Sequence, residues 1–207
     1  MHWVRQHRGG GTGYTALKLD MSKAYDRVEW DFLRGMMSKL GFSLQWINLV
    51  MRCVTLVSYS FIINGQGQGS LFPGRGLRQG DPLSPYLFVT CAQGLSEMLI
   101  DYECKRLFKG VSVASSCPLV SHLFFANDSL IFCRARIKEC VELKQCLQSY
   151  AGTSGQFINY EKSALSFSPN TRVSIRDEIC SLFGISQVDG HDMYLGLPIF
   201  SMWNKRF

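Results

Sequence analysis

Three short segments carry polar side chains at the ends of apolar runs, where a fold can present chemistry on a rigid frame. The first is Lys18-Leu19-Asp20-Met21-Ser22-Lys23-Ala24-Tyr25-Asp26, in which Asp20 ends an apolar run over residues 16–19. The second is Gly76-Leu77-Arg78-Gln79-Gly80-Asp81-Pro82-Leu83-Ser84-Pro85. The third is Phe124-Phe125-Ala126-Asn127-Asp128, set between apolar runs at residues 119–123 and 129–132. Carboxylates at strand ends are hard oxygen donors of the type Mg²⁺ takes, and Mg²⁺ is commonly held by one or two of them plus substrate phosphates. Strand ends distant in sequence supply such a pair when the strands are neighbours in one sheet. Each segment alone also has an ordinary explanation. Asn and Asp favour a hairpin tip because both tolerate unusual backbone angles. A Gly/Arg-rich stretch can be a connector with solvated arginines, and Tyr25 can be a partly buried aromatic.

The elements that must position these segments are legible from periodicity. Residues 16–19 read as a buried strand. Residues 28–40 place Val28, Phe32, Leu33, Met36, Met37 and Leu40 at helical spacing, with Gly41 as the stop. Ser43 can cap a second helix through Trp46, Ile47, Val50 and Val54. Residues 59–63 and 66–72 flank Asn64-Gly65, a hairpin signal. Asp81-Pro82 suits a helix start, Asp as N-cap and Pro in the first turn, with the helix running to about Cys104. Residues 111–113 suggest an edge strand, residues 138–150 a helix, residues 157–167 an extended segment and residues 174–183 a helix closed by Gly184. Residues 194–198 suggest a short strand or turn. The order β-α-α-β-β-α-β-β-α-β-α predicts an α+β layer, one sheet with helices on one face.

Composition narrows the class without choosing a function. The chain has 207 residues, 46% of them hydrophobic and 18% charged, enough for one domain with a sizeable core. Its net charge of +6 suits a polyanionic partner. None of the eight cysteines has Cys-x-x-Cys spacing, and no Cys/His cluster has zinc-ligand spacing. Most cysteines fall in apolar runs and read as small buried hydrophobes in a reducing compartment. The four histidines are scattered, and His122 reads as structural. The N-terminus lacks a signal-peptide core, and no run reaches the roughly 18 apolar residues of a membrane span, so a chain without membrane association is expected. Nothing in the sequence signals an oligomer.

Taken together and in this order, the three segments resemble motifs A, B and C of reverse transcriptases, most closely those of plant LINE-type (non-LTR) retrotransposons. Ten consecutive residues, 76–85, match the second motif, and Glu29-Trp30 extends the likeness of the first. Ser154-Gly155-Gln156-Phe157-Ile158-Asn159-Tyr160-Glu161-Lys162-Ser163 resembles the motif D region, and Tyr194-Leu195-Gly196 resembles the start of the primer-gripping motif. The resemblance implies an α+β polymerase palm: an antiparallel sheet with a central hairpin and helices packed on one face. It further implies residues 1–13 as a remnant of the fingers, 14–198 as the palm and 199–207 as the start of a thumb.

The resemblance also implies roles. Asp20 and Asp128 match metal-binding carboxylates for Mg²⁺, two ions in the family. Tyr25 matches the ring that excludes a nucleotide 2′-hydroxyl by steric clash. Gln79 and Gly80 would lie near the incoming nucleotide or template, Arg75 and Arg78 would reach phosphates, and Lys162 would stand near the leaving phosphates as a proton donor. Asp26 reads as structural, paired with Lys23 or Arg27. Partners would be an RNA template, a DNA primer and dNTP, inside the cell, in nucleus or cytoplasm. The departure is Asn127, where the family's tip reads Ala-Asp-Asp. A neutral amide oxygen there brings no charge to offset two dications, so impaired catalysis is expected. The alternative is a non-catalytic nucleic-acid-binding remnant of a decayed mobile element.

Overall fold

A computed structural model of the chain describes residues 12–112, 117–125 and 128–188. The strand expected over residues 16–19 spans Tyr14–Ser22, β1. It is followed by α1 (Trp30–Lys39) and α2 (Leu44–Thr55). The Asn64-Gly65 hairpin joins β2 (Tyr59–Ile63) to β3 (Gln66–Leu71). Next come α3 (Ser84–Cys104), β4 (His122–Phe125), β5 (Asp128–Arg134) and α4 (Ile137–Ser154). Short strands β6 (Phe157–Ile158) and β7 (Ala164–Phe167) precede α5 (Val173–Phe183).

The main sheet has the order β4-β5-β1-β6, with β7 also pairing to β1. β1 is antiparallel to β5, from Tyr14 opposite Arg134 to Asp20 opposite Asp128. β4 is antiparallel to β5, and β7 to β1. Even-numbered residues of one face of this pair, Ala16, Leu130 and Phe132, form an apolar cluster with Val111, flanked by Tyr14 and Val120. Further along the same face the pattern changes to Lys18 and Asp20, which are only half-buried. The opposite side of β1 stays apolar, with Leu17, Leu19 and Met21 buried.

Several boundaries differ from the sequence expectation for local reasons. The third helix begins at Ser84 rather than at Asp81. Asp81 Oδ1 accepts from the Leu83 amide at 2.9 Å, so its side chain caps a turn that precedes the helix. The hairpin of β2 and β3 forms its own two-stranded sheet instead of joining the main one. Residues 157–167 divide into two strands because a turn through Asn159 and Ser163 interrupts them. Residue 111 makes a single bridge to Val120 in place of an edge strand. The motif expected at residues 194–198 lies outside the described residues, as does residue 113. Four cysteines are buried as expected (Cys91, Cys133, Cys140, Cys146), whereas Cys53, Cys104 and Cys117 are exposed. Among the described residues, no helix is long and apolar enough to cross a membrane.

The chain separates into two compact units. One comprises Met1–Asp20, Leu99–Gln145 and Ile158–Phe207, built on the main sheet. The other comprises Met21–Met98 and Cys146–Phe157, with a largely helical core of Leu33, Met37, Ile47, Val50, Leu87, Phe88, Leu95 and Tyr150.

Candidate active site

In the sheet unit, Asp20 and Asp128 are direct cross-strand partners. Residues so paired have Cα atoms about 5 Å apart and project from the same face. The sheet therefore brings together two carboxylates that the sequence keeps far apart. Lys18 shares that face, two residues before Asp20 on β1, and its Nζ lies 3.9 Å from Asp128 Oδ2. Asn127 lies outside the described residues. Among the described residues, no group of three His, Cys, Asp or Glu is placed to hold a metal ion, so Asp20 and Asp128 stand as a pair.

The backbone of Asp20 is held by the turn of residues 159–163. The Asn159 amide donates to Asp20 O at 2.8 Å, and the Asp20 amide donates to Ser163 Oγ at 3.2 Å. Ser163 Oγ donates in turn to Asn159 O at 2.7 Å. Lys162 sits in this same turn, exposed, its amide 3.4 Å from Asn159 Oδ1. Sequence reasoning singled out Lys162 and passed over Ser163, whose small hydroxyl carries no signal until the turn is seen.

In the second unit, the segment after Asp20 and the Gly/Arg loop are fastened to each other. The Leu77 amide donates to Tyr25 O at 2.9 Å, the Gly76 amide to Val28 O at 2.8 Å, and Trp30 Nε1 to Gly76 O at 2.8 Å. A Cβ on Gly76 would stand 2.7 Å from Asp26 O, at a φ of +94°. Gly76 is thus required by both close approach and backbone angle. The Tyr25 ring stacks on Phe88 with centroids 4.8 Å apart and planes 17° from parallel. Asp26, expected to pair with Lys23 or Arg27, instead accepts from Gln79 Nε2 at 3.5 Å. Arg75 pairs with Glu29 at 3.2 Å and Arg78 with Asp81 at 3.1 Å, both partly exposed. Gln79 and Gly80 are exposed at the end of the loop.

A buried brace supports the same turn from behind. Gln156 Nε2 donates to Ala24 O at 2.9 Å, and its Oε1 accepts from the Tyr150 hydroxyl, which also lies 3.2 Å from Cys91 O. The Glu29 amide donates to Ser154 O at 3.0 Å. Burial pushes the Tyr150 phenol above its ordinary range, so it remains a donor. The Gln156 contact was not legible in sequence, where Gln156 stands only as one residue of the stretch resembling motif D.

The helices and the antiparallel sheet, with β4 at one edge beside β5 where the sequence predicts a central hairpin, define a partial polymerase palm. Telomerase from Candida tropicalis, truncated from its C-terminal domain, is similar in structure over 76% of this chain and 31% of that one, with a TM-score of 0.57 and 16% identity. Telomerase of the same organism in complex with a TWJ fragment of telomeric RNA is similar over 79% of this chain and 27% of that one, with a TM-score of 0.57 and 13% identity. At those identities the likeness is one of fold. The family model for reverse transcriptase (RNA-dependent DNA polymerase) matches residues 4–198, and the chain belongs to that family.

Sequence relatives agree. An uncharacterised mitochondrial protein of Arabidopsis thaliana is 48% identical over 69 residues, 33% of this chain and 57% of that protein. The retrovirus-related Pol polyprotein of the type-1 retrotransposable element R2 of Popillia japonica is 28% identical over 79% of this chain. A 149 kDa protein of the Xenopus laevis transposon TX1 is 25% identical over 79% of this chain. The chain spans 26% and 12% of those last two relatives.

Proposed function

We propose that the chain is the palm-centred region of an RNA-directed DNA polymerase from a plant LINE-type (non-LTR) retrotransposon. Its motifs A, B and C are the segments around Asp20, Gln79 and Asn127-Asp128, with residues 154–163 and 194–196 as motifs D and E. In this reading residues 1–13 are the tail of the fingers, 14–198 the palm and 199–207 the start of a thumb. The observation that carries it is the pairing of Asp20 with Asp128 across two adjacent strands.

The donor set fits the family's chemistry. Two half-buried carboxylates on one sheet face suit a hard divalent cation such as Mg²⁺, with solvent or phosphate oxygens filling the remaining positions. When bound, divalent ions stabilise the attacking and leaving oxygens of an in-line displacement at phosphorus. The chain's own residues do the rest. Tyr25, backed by Phe88, is the bulk against which a ribose 2′-hydroxyl clashes. Gln79 and Gly80 meet the incoming dNTP or the template. Arg75 and Arg78 exchange their carboxylate partners for phosphates, because exposed ion pairs are worth only about 0–1 kcal/mol. Lys162 gives a proton to the leaving phosphate. An RNA template and a DNA primer are the partners.

Asn127 impairs this site. An amide oxygen in place of a carboxylate removes charge stabilisation worth several kcal/mol, and each 1.36 kcal/mol is about tenfold in rate. Primer extension on an RNA template, with Mg²⁺ and with Mn²⁺, tests the reading by comparing the chain with Asn127→Asp. Extension by the variant alone is expected. Equal extension by both would refute the impairment, and extension by neither would refute turnover for this length of chain. Asn127 itself favours a second reading, nucleic-acid binding without synthesis. Steeply salt-dependent retention of a primer–template duplex would support that reading, and no retention at low salt would remove it.

A further inference from the structure

The face that carries Asp20 and Asp128 holds a third charge, and it is positive. Lys18 lies on β1 opposite Leu130, diagonal to Asp128, with its ammonium 3.9 Å from Asp128 Oδ2. Its side chain is only 20% exposed, against the usual preference of lysine for open solvent. Two carboxylates directly opposite one another on a sheet repel. Packing the Lys18 stem along the strand and setting its head beside Asp128 offsets one of the two charges.

We propose that Lys18 is a resident counter-cation that occupies Asp128 when no divalent ion is bound and must be displaced when one binds. The proposal rests on Asp20 and Asp128 being cation ligands. The chemistry of lysine suits the task. An ammonium is a compact point charge on a flexible four-carbon stem, able to swing aside, whereas a guanidinium would bind a carboxylate in a fixed fork. Lys18 thereby stabilises the metal-free fold and weakens metal binding at the same site.

The test uses the full chain and four forms of it: Lys18→Met, Lys18→Arg, Asp128→Asn and Lys18→Met with Asp128→Asn. Mn²⁺ alone is the probe, its free fraction read by electron paramagnetic resonance, and the metal-free thermal midpoint is measured at low salt. Lys18→Met should bind Mn²⁺ about fivefold tighter, the size of a partly exposed pair interaction. Its metal-free midpoint should fall, that fall should vanish in the Asp128→Asn background, and Lys18→Arg should restore the midpoint. An Mn²⁺ affinity unmoved by Lys18→Met, or a midpoint loss of the same size in both backgrounds, would overturn the proposal. If no form binds Mn²⁺, the reading of Asp20 and Asp128 as ligands falls. The midpoint cycle then decides Lys18 alone: coupling to Asp128 sustains the counter-cation and additivity removes it.

Discussion

Gly155 shows how tightly the turn after Asp20 is fixed at the level of single residues. A Cβ there would stand 2.4 Å from Arg27 O and 2.7 Å from Glu29 Cγ, at a φ of +75°. Left-handed backbone costs an L-residue about 1–2 kcal/mol, and overpacking adds about 1–3 kcal/mol. Gly155→Ala should therefore lower stability by about 2–5 kcal/mol, read as a reduced urea midpoint with an unchanged slope. Trp30→Phe makes a gentler probe. It keeps an aromatic side chain but trades the indole for a smaller phenyl and deletes the donor to Gly76 O, leaving a carbonyl to find water, at a cost of about 1 kcal/mol for the lost hydrogen bond. In primer extension with the Asn127→Asp background, the same change should lower activity by loosening the Gly/Arg loop. An unchanged rate would show that the loop holds its shape without Trp30.

Among the elements, the ones with strong local grammar were legible and the ones set by distant contacts were not. Ser43 as a helix cap is an example of the first kind: its Oγ accepts from the Trp46 amide at 3.3 Å, as the sequence predicts. Gly184 closes the last helix where periodicity placed it. The extended stretch after Phe157 is an example of the second kind. Nothing in residues 157–167 announces that Asn159 and Ser163 will turn inward to grip Asp20, because that grip belongs to β1. The pairing of Asp20 with Asp128 was an expectation drawn from the motifs and not from spacing, since sequence distance carries no register. The β2–β3 hairpin illustrates a third case: its local turn was read correctly and its context was not. It has only two strands and leaves Phe61, Ile62 and Ile63 mostly exposed. Isolated two-stranded hairpins are marginal in water. Hydrogen exchange should show its amides opening far faster than those of β1 and β5, and equal protection would contradict that.

At the scale of the whole chain, burial of thiols links the core to pH and to reagents. Burial pushes the Cys91 thiol from its ordinary value of about 9 up to about 12. Cys133 is raised as well, first by its contact with the Cys140 thiol and then by burial. The unfolded chain therefore gives up these protons at lower pH than the folded one. Their contribution to stability is complete below about pH 9 and is lost as pH rises from there toward 12. Thermal midpoints taken from pH 8 to 11 should fall, and Cys91→Ala should flatten the fall. Thiol labelling under native conditions should modify Cys53, Cys104 and Cys117 quickly and spare Cys91, Cys133, Cys140 and Cys146 until the chain opens. Rapid labelling of the second set would mean that the core breathes.

The register that sets Asp20 opposite Asp128 has a consequence for descent. A slip of one residue between β1 and β5 would turn Leu17, Leu19 and Ile131 outward and bury the charges. Persistence of the fold therefore preserves the positions of Asp20 and Asp128 whatever the neighbouring residues become. Asn and Asp codons differ by a single purine at the first position. A lineage that retains this sheet stays one base change from a carboxylate at position 127, whereas one that loses the sheet has no frame on which to place it.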